Sequence, residues 1–317
     1  MNRRTNKMRA TVFVLITSLA ALAACTPGKP KNFDTPEAAV QALIEAANSK
    51  GDRALLGVLG KSGEPLVHSG DEVADQNGRE QFLAAYNAAN SLDKSVEKSV
   101  TLEVGEGKWP FPIPIVMQDG KWHFDTETGA EEIINRRVGE NELDTIQSCL
   151  AYVDAQREYY MRNPPQDSFL HYSDRLISTE GKKDGLYWAA ADNEEQSPLG
   201  EGFATARAEG YLQEGTMKGV PFHGYIYRLL TRQGPNAQGG AFDYLVDGKL
   251  LGGFAAIAFP AEYGNSGVMT FMVNHDGVVF SKDLGADTPK LALAMEEFNP
   301  GPDWKREAAD EPATAAN

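Results

Sequence analysis

Five side chains with acid–base or ligating chemistry fall at the ends and turns of one β-rich stretch: His223, Tyr225, Glu262, His275 and Asp276. An imidazole beside a carboxylate can move a proton or hold a cation, so this group is the first candidate for a reaction. A plainer reading competes for most of it. His275 and Asp276 stand directly before Gly277, the composition of a tight turn, and Glu262-Tyr263-Gly264 reads as a loop whose ring packs. The established catalytic patterns are missing. Ser69, Ser148, Ser173 and Ser266 lack a Gly-x-Ser-x-Gly elbow, and the glycines of 234–240 are not followed by Lys-Ser/Thr. No His-Glu-x-x-His occurs, and the acidic runs at 193–195 and 310–311 lack the regular oxygen spacing of a calcium loop. The sequence thus points to no catalytic residue, no metal and no cofactor, and it gives an enzyme the weakest support. A second candidate is a pocket near the aromatic residues Tyr86, Trp109 and Trp122, for which core packing is the competing role.

The elements that must position these residues form two regions. In the first, 33–138, Thr35-Pro36-Glu37 has the cap, proline and early acid of a helix start, and Val40, Leu43, Ile44 and Ala47 follow at helical spacing. Short helices are expected over 52–59 and 79–90. Val100, Leu102 and Val104 alternate as in a strand, and so do Phe111, Ile113, Ile115 and Met117, with Pro110, Pro112 and Pro114 between them. Proline donates no ladder bond, so that side is an edge or a bulge. Asp119-Gly120 is a hairpin turn. The second region, 139–304, is entered on a long helix over 130–161, without a flexible linker. Strands are expected at 225–232, 242–246, 254–259, 268–274 and 278–281, and a last helix at 288–298. Residues 305–317 read as a disordered tail. The fold class is α+β.

The first 25 residues carry a different signal. Arg3, Arg4, Lys7 and Arg9 precede an apolar run over 10–24. That run is shorter than the roughly 20 residues a membrane helix needs, so 1–24 read as a secretory signal peptide. It ends in Leu22-Ala23-Ala24-Cys25, which resembles the bacterial lipobox. The resemblance implies lipid on Cys25, and Thr26 after it resembles an outer-membrane address. Residues 25–32 would form a lipid-anchored tether reaching at most about 27 Å. Cys149, the other cysteine, falls on the helix face of Ile146 and Val153 and reads as a buried structural thiol.

Charge narrows the partners. The chain has 30 basic and 45 acidic residues, a net of −15. Cleavage before Cys25 would remove four of the 30 basic residues and no acid, leaving 26 against 45, a net of −19. Such a body carries no basic footprint for nucleic acid, and it will not adhere to anionic lipid by charge. Two cysteines also exclude a disulfide-rich scaffold.

Helices followed by a curved sheet, with Phe33-Asp34-Thr35-Pro36-Glu37-Ala38-Ala39 and later Lys121-Trp122-His123-Phe124-Asp125, resemble the cone fold of nuclear transport factor 2. The long helix and β-meander of 139–304 resemble the globular part of type IV pilins, without the apolar N-terminal half-helix that builds pilin filaments. A third resemblance spans nearly all of 33–304. Gly185-Leu186-Tyr187-Trp188, Ser197-Pro198-Leu199-Gly200, His223-Gly224-Tyr225, Gly252-Gly253-Phe254-Ala255, Pro260-Ala261-Glu262-Tyr263-Gly264 and Val268-Met269-Thr270-Phe271 carry it, with Asn274-His275-Asp276-Gly277, Asp283-Leu284-Gly285, Asn299-Pro300 and Trp304. These resemble a family of exported bacterial proteins catalogued as a domain of unknown function, DUF2950. That resemblance implies export and assigns no site residue.

The expectation is therefore a lipid-anchored, periplasm-facing cell-envelope protein with a non-enzymatic interaction or structural role, whose partners are the membrane, through Cys25, and other envelope proteins. A small-ligand carrier using the cone pocket is the alternative, and an unfamiliar hydrolase stands third. A deep pocket with convergent polar groups would favour the last two.

Overall fold

The computed structural model describes residues 28–49, 51–162, 169–191, 193–200, 211 and 220–307. The expected signal peptide, Cys25 and residues from 308 on lie outside them.

Thr35 starts the first helix. Its hydroxyl oxygen accepts the Ala38 N–H at 3.1 Å, and Pro36, which has no N–H to satisfy, opens α1 (Pro36–Ala47). Helices α2 (Arg53–Leu59), α3 (Glu64–Val67) and α4 (Glu72–Ala88) follow. The strands are β1 (Asn90–Val96), β2 (Ser99–Val104), β3 (Trp109–Pro110), β4 (Ile115–Gln118) and β5 (Lys121–Phe124), all antiparallel in the order β1–β2–β4–β5 with β3 also on β2. Val100, Leu102 and Val104 are buried in alternation, and Val40, Leu43, Leu59, Ile115 and Phe124 complete this core. The ladder breaks between Phe111, whose N–H still donates to the Leu102 carbonyl at 2.7 Å, and Ile115, because Pro112 and Pro114 have no N–H to give. Asp119 and Gly120 both take positive φ in the β4–β5 turn.

Helix α5 (Thr126–Arg162) has 37 residues and runs unbroken through Val138, a length of about 55 Å. Its first turn belongs to the first body. Thr126 donates to the Leu59 carbonyl at 2.8 Å, and a Cβ on Gly129 would lie 2.6 Å from the Ile113 Cα, so only glycine lets the helix so near that strand. Its second half buries Cys149, Tyr152, Val153 and Gln156 against a five-stranded antiparallel sheet. The strands of that sheet are β6 (Tyr225–Leu230), β11 (Ala255–Pro260), β12 (Met269–Asn274), β13 (Val279–Asp283) and β14 (Lys305–Arg306), in the order β14–β13–β12–β11–β6. Between β6 and β11 lie the two-residue strands β7 (Arg232–Gln233), β8 (Phe242–Asp243), β9 (Leu245–Val246) and β10 (Lys249–Leu250). Every residue of β11 is buried, as expected of a strand covered on both faces. Helix α6 (Thr288–Ala294) packs on it, held where Arg228 of β6 donates to the carbonyls of Ala292, at 2.8 Å, and Met295.

Three expectations are corrected. The fold does not end at Trp304, since Lys305 and Arg306 pair with Ser281 and Phe280. The helix expected over 79–90 begins at Glu72, because Asp71 caps it by accepting the Val73 and Ala74 N–H groups. The long helix begins at Thr126 rather than 130.

Burial pushes the Cys149 thiol up to about 12. At pH 8 the folded chain should leave it unreacted with iodoacetamide, and unfolding in urea should expose it to full labelling. Labelling at the rate of a free thiol in native buffer would place Cys149 at the surface instead.

Candidate functional site

The β-rich candidates divide between the two ends of the sheet. Residue Ala255 of β11 pairs with Asn274 and Leu230, whereas Pro260 pairs with Tyr225. His223, Tyr225 and Glu262 therefore stand at one end, and His275 and Asp276 at the other, about 17 Å away at 3.3 Å per residue. The five do not form one site. The Tyr225 ring is fully buried and its hydroxyl donates to the Met269 carbonyl at 2.9 Å. A Cβ on Gly267 would fall 2.1 Å from that hydroxyl, so the ring is a packing element. His275 packs edge-on against Tyr244 and Phe254, and Asp276 accepts from Asn274 in the following turn. Among the described residues no three His, Cys, Asp or Glu side chains converge as a metal site would require.

The His223 end opens on a cavity of about 640 Å³ between the first body and α5. Its floor is apolar, from Leu43, Leu55, Leu59, Phe111 and Ile113. One wall is the α4 stripe of Ala74, Asp75, Gly78 and Phe82; another is the α5 stripe of Ile133, Arg136, Arg137, Glu140, Asn141 and Asp144. Spacings of three and four set both stripes on one helix face. Trp109 stands at the mouth, half exposed, with the Arg136 guanidinium 5.2 Å from its ring centre. Of the three aromatic residues the sequence suggested, Trp109 alone belongs to this lining. Tyr86 packs on the first core, and Trp122 exchanges both backbone hydrogen bonds with Phe33.

His223 reaches the lining from the second body. Phe222-His223-Gly224-Tyr225 is a two-residue turn with positive φ at both central residues. The imidazole stacks on Phe222 with ring centres 4.2 Å apart, and its Nδ1 lies 3.2 Å from an Asp144 carboxylate oxygen. A Cβ on Gly224 would lie 2.4 Å from the Asn141 amide nitrogen, so this turn sits directly on α5.

Two polar centres, one buried at Asp71 and one half-buried at Arg137, join the bodies beside the cavity. Asp71 is 2% exposed. One of its oxygens accepts the Val73 and Ala74 N–H groups, and the other accepts the Tyr211 hydroxyl and the Gly224 N–H, both at 2.9 Å. Arg137 donates to the Pro65 and Leu66 carbonyls on one side and to Asn265 on the other, at 2.8–3.0 Å. Asn265 in turn donates to the His68 carbonyl and to Glu262. Glu262 therefore works at this junction. The helix cap at Asp71 has a sequence signature, but Tyr211 and Gly224, well over a hundred residues away, have none.

A family model described as a protein of unknown function, DUF2950, matches residues 30–307. The chain belongs to the DUF2950 family. No curated protein and no solved structure matches it. The matched span takes in both bodies of this DUF2950 chain, the cavity lining and every residue of the junction. The family thus corresponds to the joined pair and not to either half.

Burial pushes the Asp75 carboxyl above its usual range, against the lowering effect of hydrogen bonds from Ser69 and the charge on Arg137. Burial pulls the Arg137 guanidinium down, opposed by Asp75 and Glu262. A raised acid binds its proton more tightly in the folded chain. Its stabilising contribution is complete below the unfolded pKa of about 3.9 and is lost as pH rises through the folded value. Asp75→Asn, which stays neutral and can still accept from the Ser69 N–H, should flatten that loss. Urea midpoints from pH 4 to 7 test this: a variant whose deficit grows toward pH 7 would show that the charge pair with Arg137 outweighs burial.

Proposed function

We propose that this DUF2950 protein is a lipid-anchored component of the bacterial cell envelope that binds a small, largely apolar ligand in the cavity between its two bodies. The cavity carries this reading. Its volume lies within the range of about 300–1,000 Å³ usual for small-molecule sites, and it has their apolar floor and few convergent polar groups. In this reading the first body is a cone of the nuclear transport factor 2 type, whose open side α5 partly covers. The second body is a pilin-like helix on a meander. The role is binding rather than catalysis, since the arginines at the cavity already have partners: Arg79 with Asp52, Arg136 with Glu132, and Arg137 with Asn265 and two backbone carbonyls.

The anchor rests on Leu22-Ala23-Ala24-Cys25, with Thr26 supporting an outer-membrane, periplasm-facing address. No helix among the described residues is long and apolar enough to cross a membrane. Cys25→Ser should abolish incorporation of a labelled fatty acid into the protein; undiminished labelling would end the lipoprotein assignment. Ligand binding is tested by extracting the full chain from its own envelope and analysing it by native mass spectrometry. A bound small molecule released on unfolding supports the cavity reading, and an apo mass from every preparation opposes it.

A second reading, an interaction surface for another envelope protein, is favoured by the β9–β10 hairpin. It exposes Leu245 and Val246, with Phe242 and Leu251 exposed beside it. Loss of a cross-linked partner on Val246→Asp would support it.

A further inference from the structure

The apolar floor of the cavity says that its occupant is greasy, and the charges on its rim say what the polar end of that occupant must be. Arg79 is already paired with Asp52. Arg136 is paired with Glu132 at 2.6 Å and lies over Trp109. Arg137 is spent on two backbone carbonyls and Asn265. Glu140 and Asp144 add negative charge to the same rim. A ligand with an anionic head would meet cations that already have acceptors, and carboxylates that repel it. An acyl chain whose carbonyl is tied up in an ester or amide brings no such charge.

One source of such chains enters the fold at the cavity wall. The Lys31 N–H donates to the Val58 carbonyl at 3.1 Å. The Lys29–Pro30 peptide lies so close to Gly60 that a Cβ there would be 2.7 Å from the Pro30 nitrogen. Leu59, whose side chain lines the cavity, is thus flanked by the two residues that hold the N-terminal tether. From Lys29 back to Cys25 is four residues, at most about 14 Å. An acyl chain occupying one leaflet, half of a roughly 30 Å hydrocarbon core, adds about 15 Å. The α5 stripe that lines the cavity, from Ile133 to Asp144, is about 17 Å long, well within that combined reach.

We propose that the cavity takes an acyl chain in neutral, ester or amide linkage, and that this chain is one of those carried by Cys25 of the same molecule. The inference rests on the cavity and on the lipid-anchor reading given above. Its consequence is mechanical. A lipoprotein cysteine carries two or three chains, whereas a single chain holds a protein to a membrane only marginally. Sheltering one chain in the cavity loosens the anchor, and releasing it tightens the anchor.

The test uses the full lipidated chain from cells fed a fatty acid bearing a photoactivatable diazirine. Irradiation should link the Cys25 peptide to peptides containing Leu43, Leu55 or Phe82 of the same molecule, and Gly78→Trp should lower that yield at least tenfold. Links found only to phospholipid, or an unchanged yield in Gly78→Trp, would overturn the proposal. A second arm separates this failure from that of the cavity reading. The mature chain begun at Thr26 carries no lipid and keeps every described residue. It should bind a fluorescent hexadecanoyl amide at least tenfold more tightly than the lipidated chain does. Equal binding by both overturns self-occupancy and leaves the cavity reading intact; binding by neither overturns both.

Discussion

Replacing Asp71 with Ala is expected to cost about 4 kcal/mol. Loss of a helix cap costs about 1 kcal/mol. Each buried donor left without its acceptor costs about 1–3 kcal/mol more, and here two are stranded, the Tyr211 hydroxyl and the Gly224 N–H. Domains of this kind are held by only about 5–15 kcal/mol in all, so the variant should stand near the edge of folding at 37 °C. Asp71→Asn should fall between the two, since it keeps an oxygen to cap α4 but presents an amide to groups that also donate. Urea unfolding of the three chains checks this. A loss below about 1.5 kcal/mol for Asp71→Ala would mean that water replaces the carboxylate and that the junction is weaker than its geometry suggests. A single transition that splits into two would show that Asp71 makes the bodies unfold together.

That junction also marks where sequence reading stops. Thr35-Pro36-Glu37 announces α1 because caps and prolines act within one turn, and the structure has that helix at Pro36–Ala47. Val100, Leu102 and Val104 reveal β2 because one face of it meets a core. Helix α4 is legible only in its second half, expected over 79–90, which packs on the first core; its first turns bury no residue, line an open cavity and carry Asn77 and Gly78. Strand β1 is also hidden. Asn90-Ser91-Leu92-Asp93-Lys94-Ser95-Val96 is a mostly exposed edge whose charges guard it from stray pairing and erase its alternation. The separation of the five β-rich residues was legible in the strand order. In an antiparallel meander Glu262 follows β11 while His275 follows β12, so the two must lie at opposite ends of the sheet. The partnerships of Asp71 and Arg137 were beyond reach, because they join residues that no local rule connects.

Gly78→Trp is expected to empty the cavity of ligand and leave the fold intact. Gly78 lies on the α4 face that lines the cavity, one turn from both Ala74 and Phe82, and a Cβ there would meet nothing within 4 Å. An indole at this position has open space to enter, whereas enlarging a buried floor residue such as Leu43 would strain a packed core. Glycine in a helix interior is itself unfavourable, so Gly78→Ala should raise stability by about 0.5–1 kcal/mol. The alanine variant isolates the helix effect and the tryptophan variant adds the steric block. In native mass spectrometry of protein taken from the envelope, Gly78→Ala should retain the bound species and Gly78→Trp should lose at least nine-tenths of it, with both chains unfolding no earlier than wild type. Retention of the ligand by a stably folded Gly78→Trp chain would place the binding site elsewhere. The exposed hairpin around Val246 would then be the better account of what this protein does.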